Sequence, residues 1–236
     1  MSSLVIHIPA ENGPLPAELT TAEGPIGVVV VFAHGAGAGH RCPFMRRFAG
    51  LFASRGLDVL TFDFPYMAAG RKLPDRAPAL EAAFRAAAAA AVQALGGRIN
   101  AVVVAGKSMG GRMATHLAAQ PDRWTSPVPL RAAVAFGYPL RPPGPRGGDR
   151  VSHLAHLTVP TLVVQGTRDT FGGPDDVRQA TTGAPRVTVL PVETGDHSLK
   201  VTAASGRRQD EVEAAIADDV VTFVRAALAA DDITRD

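Results

Sequence analysis

The sequence predicts an α/β fold, in which a mostly parallel β-sheet is covered by helices on both faces. Two observations lead to this fold class. Short apolar runs rich in β-branched residues read as buried strands, and Ala-rich segments of helical length lie between them. Strands and helices that alternate along a chain are typical of a parallel sheet with helical crossovers.

The N-terminal part predicts an edge hairpin and the first buried strand. Residues 4–8 and 17–21, within the segment 1–22, flank a Gly/Pro turn, and we expect them to pair antiparallel at the edge of the sheet. Residues 27–33 read GVVVVFA. This run is apolar on both faces, as a parallel strand covered by helices must be.

Helix and strand alternate next. Residues 43–55 carry phenylalanines at helical spacing, and the strand 57–62 follows. A loop over 63–76 leads to an Ala-rich helix over 77–95, which ends at a Gly-Gly pair.

The rest of the chain repeats this alternation. Strands are predicted at residues 101–105, 130–136, 161–165 and 186–190, and helices at 109–119, 174–181 and 210–230. The Pro/Gly/Arg-rich stretch 141–150 is expected to form a surface loop, with a short helix near 152–157. Because no shift in composition marks a boundary, the sequence predicts one domain over residues 1–236.

The composition argues against several classes of protein. Lys and Arg number 24 against 22 Asp and Glu, so the net charge of +2 provides no dense basic surface for nucleic acid. Cys42 is the only cysteine, which excludes an internal disulfide and a multi-cysteine zinc site. The N-terminus does not read as a signal peptide, and no run approaches the roughly 18 apolar residues of a membrane span. We therefore expect a cytoplasmic protein with no membrane partner.

The segment Gly106-Lys107-Ser108-Met109-Gly110 is the strongest indication of chemistry. It follows the predicted strand 101–105 and opens the next helix, which is the setting of a G-x-S-x-G nucleophile elbow. The turn at Ser108 is so tight that side chains two residues away on either side would collide, and glycine avoids this collision. We predict that Ser108 is the nucleophile.

Two phosphate-binding motifs resemble parts of this chain, and both fail on spacing. A G-x-x-x-x-G-K-[ST] loop that ends at Ser108 would need glycine at Ala101, which begins a strand. The glycines in 34–39 lack the third position of G-x-G-x-x-G. A His-Gly loop after the first buried strand is instead typical of an oxyanion hole. We expect the Met109 amide to be one donor and the amide of Ala36, or of its neighbour Gly35, to be the other.

A serine nucleophile needs a base and an orienting acid. Strand 161–165 runs into Asp169 and strand 186–190 runs into His197, and the order Ser108, Asp169, His197 is that of an α/β-hydrolase triad. Asp169 could instead shape its own turn, and His197 could be an exposed loop residue. Alternatives for the acid are Asp175, Asp176 and Asp196.

Four blocks extend this interpretation to a family resemblance. They read HGAGAG with PFM at 34–45, GKSMGGR at 106–112, GTRDTFG at 166–172 and GDH at 195–197. The chain resembles small, capless α/β-hydrolases of the dienelactone-hydrolase-like kind and, more closely, the testis-expressed / NSL-complex-subunit-like group. The resemblance spans residues 27–230 and implies the α/β-hydrolase fold without a substantial cap domain. Dienelactone hydrolases carry cysteine where this chain has Ser108, which argues against lactone hydrolysis.

The expected activity is cleavage of an acyl bond by a Ser-His-Asp triad, with a small-molecule carboxylic ester of short acyl chain as substrate. No metal ion or organic cofactor is implied. A thioesterase or acyltransferase would use the same site, and a non-catalytic hydrolase-fold interaction module is the alternative from another class.

Several residues near the site stay open at this stage, and so does the oligomeric state. Solvated or helix-capping roles are expected for His40, Arg41, Lys107 and Arg112, although each could attract an anionic acyl group. Asp63 is expected to fix the loop after its strand. Cys42 is expected to be structural.

Overall fold

A computed structural model of the chain describes residues 2–11, 13–141 and 149–232, so most of the predicted loop 141–150 lies outside the described residues. Eight strands form one sheet: β1 (Ser2–Ile8), β2 (Leu15–Thr21), β3 (Val28–Ala33), β4 (Asp58–Phe62), β5 (Ala101–Lys107), β6 (Leu130–Phe136), β7 (Thr161–Gly166) and β8 (Val187–Val192). Their order is β1-β2-β4-β3-β5-β6-β7-β8. β1 and β2 pair antiparallel, as do β2 and β4, and every other pair is parallel.

Helices cover both faces of this sheet. They are α1 (Pro43–Ala53), α2 (Pro65–Ala68), α3 (Ala77–Leu95), α4 (Met109–Ala118), α5 (Pro174–Ala180) and α6 (Gln209–Asp232). Side chains alternate along β3, so Val29 and Val31 face the core beneath α3 and α4, while Val30 and Phe32 face the core beneath α1 and α6. This arrangement confirms the predicted fold class.

The structure differs from the predicted boundaries at both ends of strands, and β1 and β2 each begin two residues before their predicted starts at 4 and 17. β5 was expected to stop at residue 105, but its ladder with β6 continues to the pair Lys107 and Phe136. Glycine at 106 reads as a turn in sequence, yet its backbone still pairs. The predicted loop 63–76 also contains α2, which begins at Pro65, a favoured first helical residue.

The parallel strands bring their following loops to one edge of the sheet. The segments after β3, β5, β7 and β8 all begin there, and these segments carry the predicted site residues. The interval between β6 and β7 has 24 residues, and its described part holds a 3₁₀ turn at Ser152–His156. Across residues 2–11, 13–141 and 149–232, no large cap domain is evident. Within the described ranges, no helix combines the length and the apolarity needed to cross a membrane.

Candidate active site

The turn between β5 and α4 presents Ser108 in a strained conformation. Its φ is +51°, a region that non-glycine residues rarely occupy, and its amide donates to the Phe136 carbonyl oxygen at 2.8 Å. A Cβ atom on Gly106 would overlap the backbone of Gly110, and one on Gly110 would lie 2.5 Å from the Ala33 carbonyl oxygen. The two glycines are therefore required because β3, β5 and α4 meet here backbone to backbone.

The structure brings Ser108, His197 and Asp169 together in a line. His197 Nε2 lies 3.0 Å from Ser108 Oγ, and His197 Nδ1 lies 2.8 Å from Asp169 Oδ2. When the ring proton is on Nδ1 and donated to the carboxylate, the Nε2 lone pair faces the serine hydroxyl. This arrangement allows the imidazole to accept the serine proton.

Asp169 is fully buried and held by further donors. Its Oδ1 accepts from the Phe171 amide at 2.8 Å, and its Oδ2 also accepts from Gln165 Nε2 at 3.0 Å. Gln165 in turn accepts from the Tyr138 amide through Oε1 at 2.7 Å. Sequence reasoning missed Gln165, although a glutamine at the end of an otherwise apolar strand was a usable signal.

The alternative acids have other partners. Asp175 pairs with Arg178, and Asp176 with Arg141. Asp196 Oδ1 accepts from two amides of its own loop, at 2.7 and 3.0 Å. Among the described carboxylates, Asp169 alone bonds to the His197 ring.

The loop after β3 is braced by buried polar side chains. His34 is fully buried; its Nδ1 lies 2.7 Å from the Gly35 carbonyl oxygen, and its Nε2 accepts from the Phe64 amide at 3.0 Å. These partners require a neutral ring with its proton on Nδ1, and burial lowers the pKa of His34 accordingly. The Tyr66 hydroxyl donates to the Ala36 carbonyl oxygen at 2.9 Å, and burial raises the pKa of Tyr66 to about 12.

This bracing leaves main-chain donors available beside Ser108. The Gly35 carbonyl is held by His34, so the Ala36 amide of the same trans peptide points the opposite way. The amides of Gly35, Ala36 and Met109 donate no hydrogen bond within the described part of the chain. A Cβ on Gly35 would lie 3.6 Å from Ser108 Cβ, so this loop borders the serine.

Lys107 was expected to be solvated or to cap a helix, but its side chain contacts the protein. Its Nζ donates to the main-chain oxygen of His197 at 2.7 Å and lies 5.2 Å from the centre of the Phe44 ring. Burial lowers the pKa of Lys107 to about 8, against the opposing effect of the carboxylates of Asp169 and Asp196. The side chain next to the serine thus ties the elbow to the histidine loop.

Two other expectations near the site are corrected. His40 is buried, with Nδ1 3.0 Å from Asp63 Oδ1 but outside hydrogen-bonding geometry, rather than solvated. Asp63 Oδ1 accepts from the His40 amide at 2.7 Å, so it braces the loop after β3 instead of its own loop. The contact was not predictable because it joins loops 23 residues apart.

The two arginines flagged near the site differ in environment. Arg41 is half exposed and lies 3.9 Å from Glu18, as a solvated residue would. Arg112 is only partly exposed, and its Nε is buried without a hydrogen-bond partner.

Known proteins share this architecture. A family model described as an alpha/beta hydrolase domain matches residues 27–225. No protein of curated function matches the chain.

Among solved structures, an alpha-beta serine hydrolase homologue from Coxiella burnetii is 17% identical, with a TM-score of 0.71 over 96% of this chain and 98% of that one. An esterase from Pyrococcus furiosus is 16% identical, with a TM-score of 0.74 over 95% and 91%. A dienelactone hydrolase from Anabaena variabilis is 20% identical, with a TM-score of 0.67 over 95% and 97%. At these identities the likeness concerns the fold. Because the family match extends over the whole chain except the N-terminal hairpin and the last residues, this chain belongs to the alpha/beta hydrolase family.

Proposed function

We propose that this protein is a serine hydrolase that cleaves carboxylic esters of short acyl chain, with Ser108 as nucleophile, His197 as base and Asp169 as orienting acid. The observation that carries the proposal is the unbroken run of contacts from Ser108 Oγ through His197 to Asp169, at 3.0 and 2.8 Å. The free amides of Met109 and Ala36, or Gly35, support an oxyanion hole beside it.

The proposed reaction has two steps. His197 takes the Ser108 proton as Oγ attacks the ester carbonyl, the amides of Met109 and Ala36 stabilise the oxyanion, and protonated His197 releases the alcohol. Water then attacks the acyl-serine with His197 again as base. Asp169 holds the ring in the tautomer that both steps require.

A short acyl chain is proposed because the segment that could form a lid is short. The interval between β6 and β7 is where this fold usually carries a lid, and here it has 24 residues. Each further CH₂ adds about 0.8 kcal/mol of binding only where a wall exists to bury it.

We also propose that this chain belongs to one particular group within the α/β-hydrolases. The HGAGAG, GKSMGGR and GTRDTFG blocks support membership of the testis-expressed / NSL-complex-subunit-like group. We also infer that residues 1–236 form a single hydrolase domain, since one sheet carries all eight strands.

Labelling with a fluorophosphonate probe tests the proposal directly, because the probe reacts only with an activated serine. We expect labelling of the native protein, none of Ser108→Ala, and full labelling of Ser54→Ala, a matched change at an exposed serine that ends α1. An unlabelled native protein would favour the non-catalytic module instead. Matched esters and thioesters then separate the esterase from a thioesterase, and added alcohols as acyl acceptors test for transfer.

A further inference from the structure

Phe171 lies in the turn that follows β7, two residues after the proposed acid. Its amide donates to Asp169 Oδ1 at 2.8 Å, and its carbonyl oxygen accepts from the Arg141 amide at 2.9 Å. Gly172 follows with a φ of +127°, and a Cβ atom there would lie 2.9 Å from Leu140 Cδ1. The backbone is therefore fixed on both sides of Phe171, and so is the direction of its Cα–Cβ bond.

The ring of Phe171 packs against the proposed base. The centres of the Phe171 and His197 rings are 4.4 Å apart, and the two planes are tilted by 46°. The Asp169 carboxylate bonds to both the His197 ring and the Phe171 amide, so one acid helps to set the relative position of the two rings. At the other end of the imidazole, Nε2 lies 3.0 Å from Ser108 Oγ. Phe171 is thus in contact with a group that takes part in the proposed reaction.

The packing of the two hydrophobic cores does not account for this contact. Of the ten phenylalanines in the chain, only Phe171 packs in neither of the cores that the described residues form. Its side chain stays partly exposed. An apolar ring gains stability in proportion to the area it buries, so this position gives Phe171 less than a core position would. The effect of the ring on His197 is a better explanation of its place.

An aromatic face attracts a cation, and His197 becomes one during the proposed reaction. The imidazole carries no charge while it faces the Ser108 hydroxyl, and it becomes positive once Nε2 has taken the serine proton. A cation within about 6 Å of the centre of an aromatic ring is attracted by the negative potential over the ring face. The contact of 4.4 Å lies within that range. The attraction is therefore stronger in the transition state than before it, which is the condition for raising kcat.

We propose that Phe171 is a further catalytic residue, whose ring face stabilises the positive charge that His197 carries in the transition states of both steps. The bonds that form and break are those of the proposed reaction, and Phe171 adds no step. Its contribution is electrostatic and acts together with the Asp169 carboxylate at Nδ1 of the same imidazole. This inference rests on the proposed function.

Fluorinated phenylalanines in place of Phe171 test this role. Each fluorine weakens the negative potential over the ring face, while the shape of the ring and its apolar character change little. Across monofluoro-, difluoro- and trifluorophenylalanine, we expect log kcat for p-nitrophenyl acetate to fall in proportion to the number of fluorines. The total loss for the trifluoro ring should be roughly 5- to 30-fold. KM should not change, because the charge on His197 exists only on the way through the transition state.

Trifluorophenylalanine in place of Phe223 is the matched control. Phe223 is also partly exposed but packs on α6, so this change should leave kcat at the native value. Phe171→Tyr keeps an aromatic face and should keep most of the activity, whereas Phe171→Leu should lose as much as the trifluoro ring. A kcat that does not depend on the number of fluorines, or rises with it, would overturn the role of Phe171 and leave the hydrolase proposal standing.

Protonation of His197 in Ser108→Ala provides a measurement that needs no catalysis. When the imidazole is followed by NMR during acidification, it should gain its proton at a progressively lower pH as fluorines are added to Phe171. The charged groups that the described residues place at His197 are Asp169 at Nδ1, Lys107 at the main-chain oxygen and Asp196 one residue before, and they are the same in every variant.

The NMR result separates this inference from the proposed function. An ordered shift supports the role of Phe171 even if the native protein cleaves no ester, and that combination would overturn the proposed function alone. Protonation of His197 at the same pH throughout the series would overturn the inference, whatever the activity.

Discussion

Replacing Lys107 by methionine tests whether the elbow holds the proposed base in position. The Lys107 ammonium donates to the His197 main-chain oxygen at 2.7 Å. This bond connects a side chain of the elbow to the backbone of the loop that carries His197. Methionine fills a similar volume and has no donor. The variant therefore removes the ammonium, with its bond to His197 and its contact over the Phe44 ring, while most of the side-chain volume is retained.

The size of the effect follows from the kind of bond that is lost. A hydrogen bond to a charged group contributes about 1.5–3 kcal/mol. If the loss appears as misplacement of His197, kcat at pH 7 falls by roughly 10- to 150-fold, at 1.4 kcal/mol per tenfold. KM should change little, because His197 takes up its proton only on the way to the transition state.

The pKa of Lys107, about 8, adds a signature in the pH profile. Below that pH the ammonium is charged and its bond is strong; above it a neutral amine donates more weakly, so native kcat should fall as pH rises through about 8. Deprotonation of Lys107 is opposed by the charges of Asp169, Asp196 and Cys42. The kcat of Lys107→Met should not fall near pH 8. In the native enzyme, the fall in kcat near pH 8 should be smaller than the loss of kcat that the substitution causes.

The assay is kcat for p-nitrophenyl acetate from about pH 6 to about pH 10, corrected for spontaneous hydrolysis. Lys200→Met is the control, since it removes an exposed ammonium from the same loop. If Lys107→Met keeps kcat within about twofold of native at pH 7, or keeps the fall near pH 8, the bond does not position His197.

Four further predictions follow from the site. Ser108→Ala should abolish ester turnover and change the free energy of unfolding by no more than about 0.5 kcal/mol in urea titrations, and parent-level activity in this variant would refute the nucleophile. Asp169→Asn should lower kcat by about 10⁴-fold and Asp196→Asn much less, and the reverse order would reassign the acid. Gln165→Leu should cost about 1–3 kcal/mol of stability for each polar partner it leaves unpaired, measured by denaturation, and a neutral effect would mean that water replaces the amide. Butyrate esters should be cleaved at least as well as decanoate esters, and a tenfold or larger rise in kcat/KM from butyrate to decanoate would show that a hydrophobic acyl-binding pocket exists.

Local patterns were sufficient for most of the fold. The run of valines in β3 and the Ala-rich run of α3 gave elements within a residue of those observed, because composition and periodicity are local properties. The ends of β5 and β8 were misjudged because Gly106 and Pro191 break the pattern while their strands keep pairing in the ladder.

The order of the chain was also sufficient to predict which side chains would meet at the sheet edge. Ser108, Asp169 and His197 each follow a parallel strand, so topology alone brings them near one another. The supporting contacts of Lys107, His40 and Gln165 were not predictable, although a glutamine at the end of an apolar strand did mark Gln165 as a residue with a polar role. Each contact joins segments that are distant in sequence, either two loops or the end of a strand and a loop. No local pattern encodes how such segments face each other.

The ring of His34 has a consequence for how the protein responds to acid. A second proton would have to sit on Nε2, where the Phe64 amide already points its own hydrogen, so charging the ring would set two donors against each other in a dry interior. The loop that presents the Ala36 amide is thereby insulated from moderate acidification. A change of rate as the pH falls therefore does not come from protonation of His34.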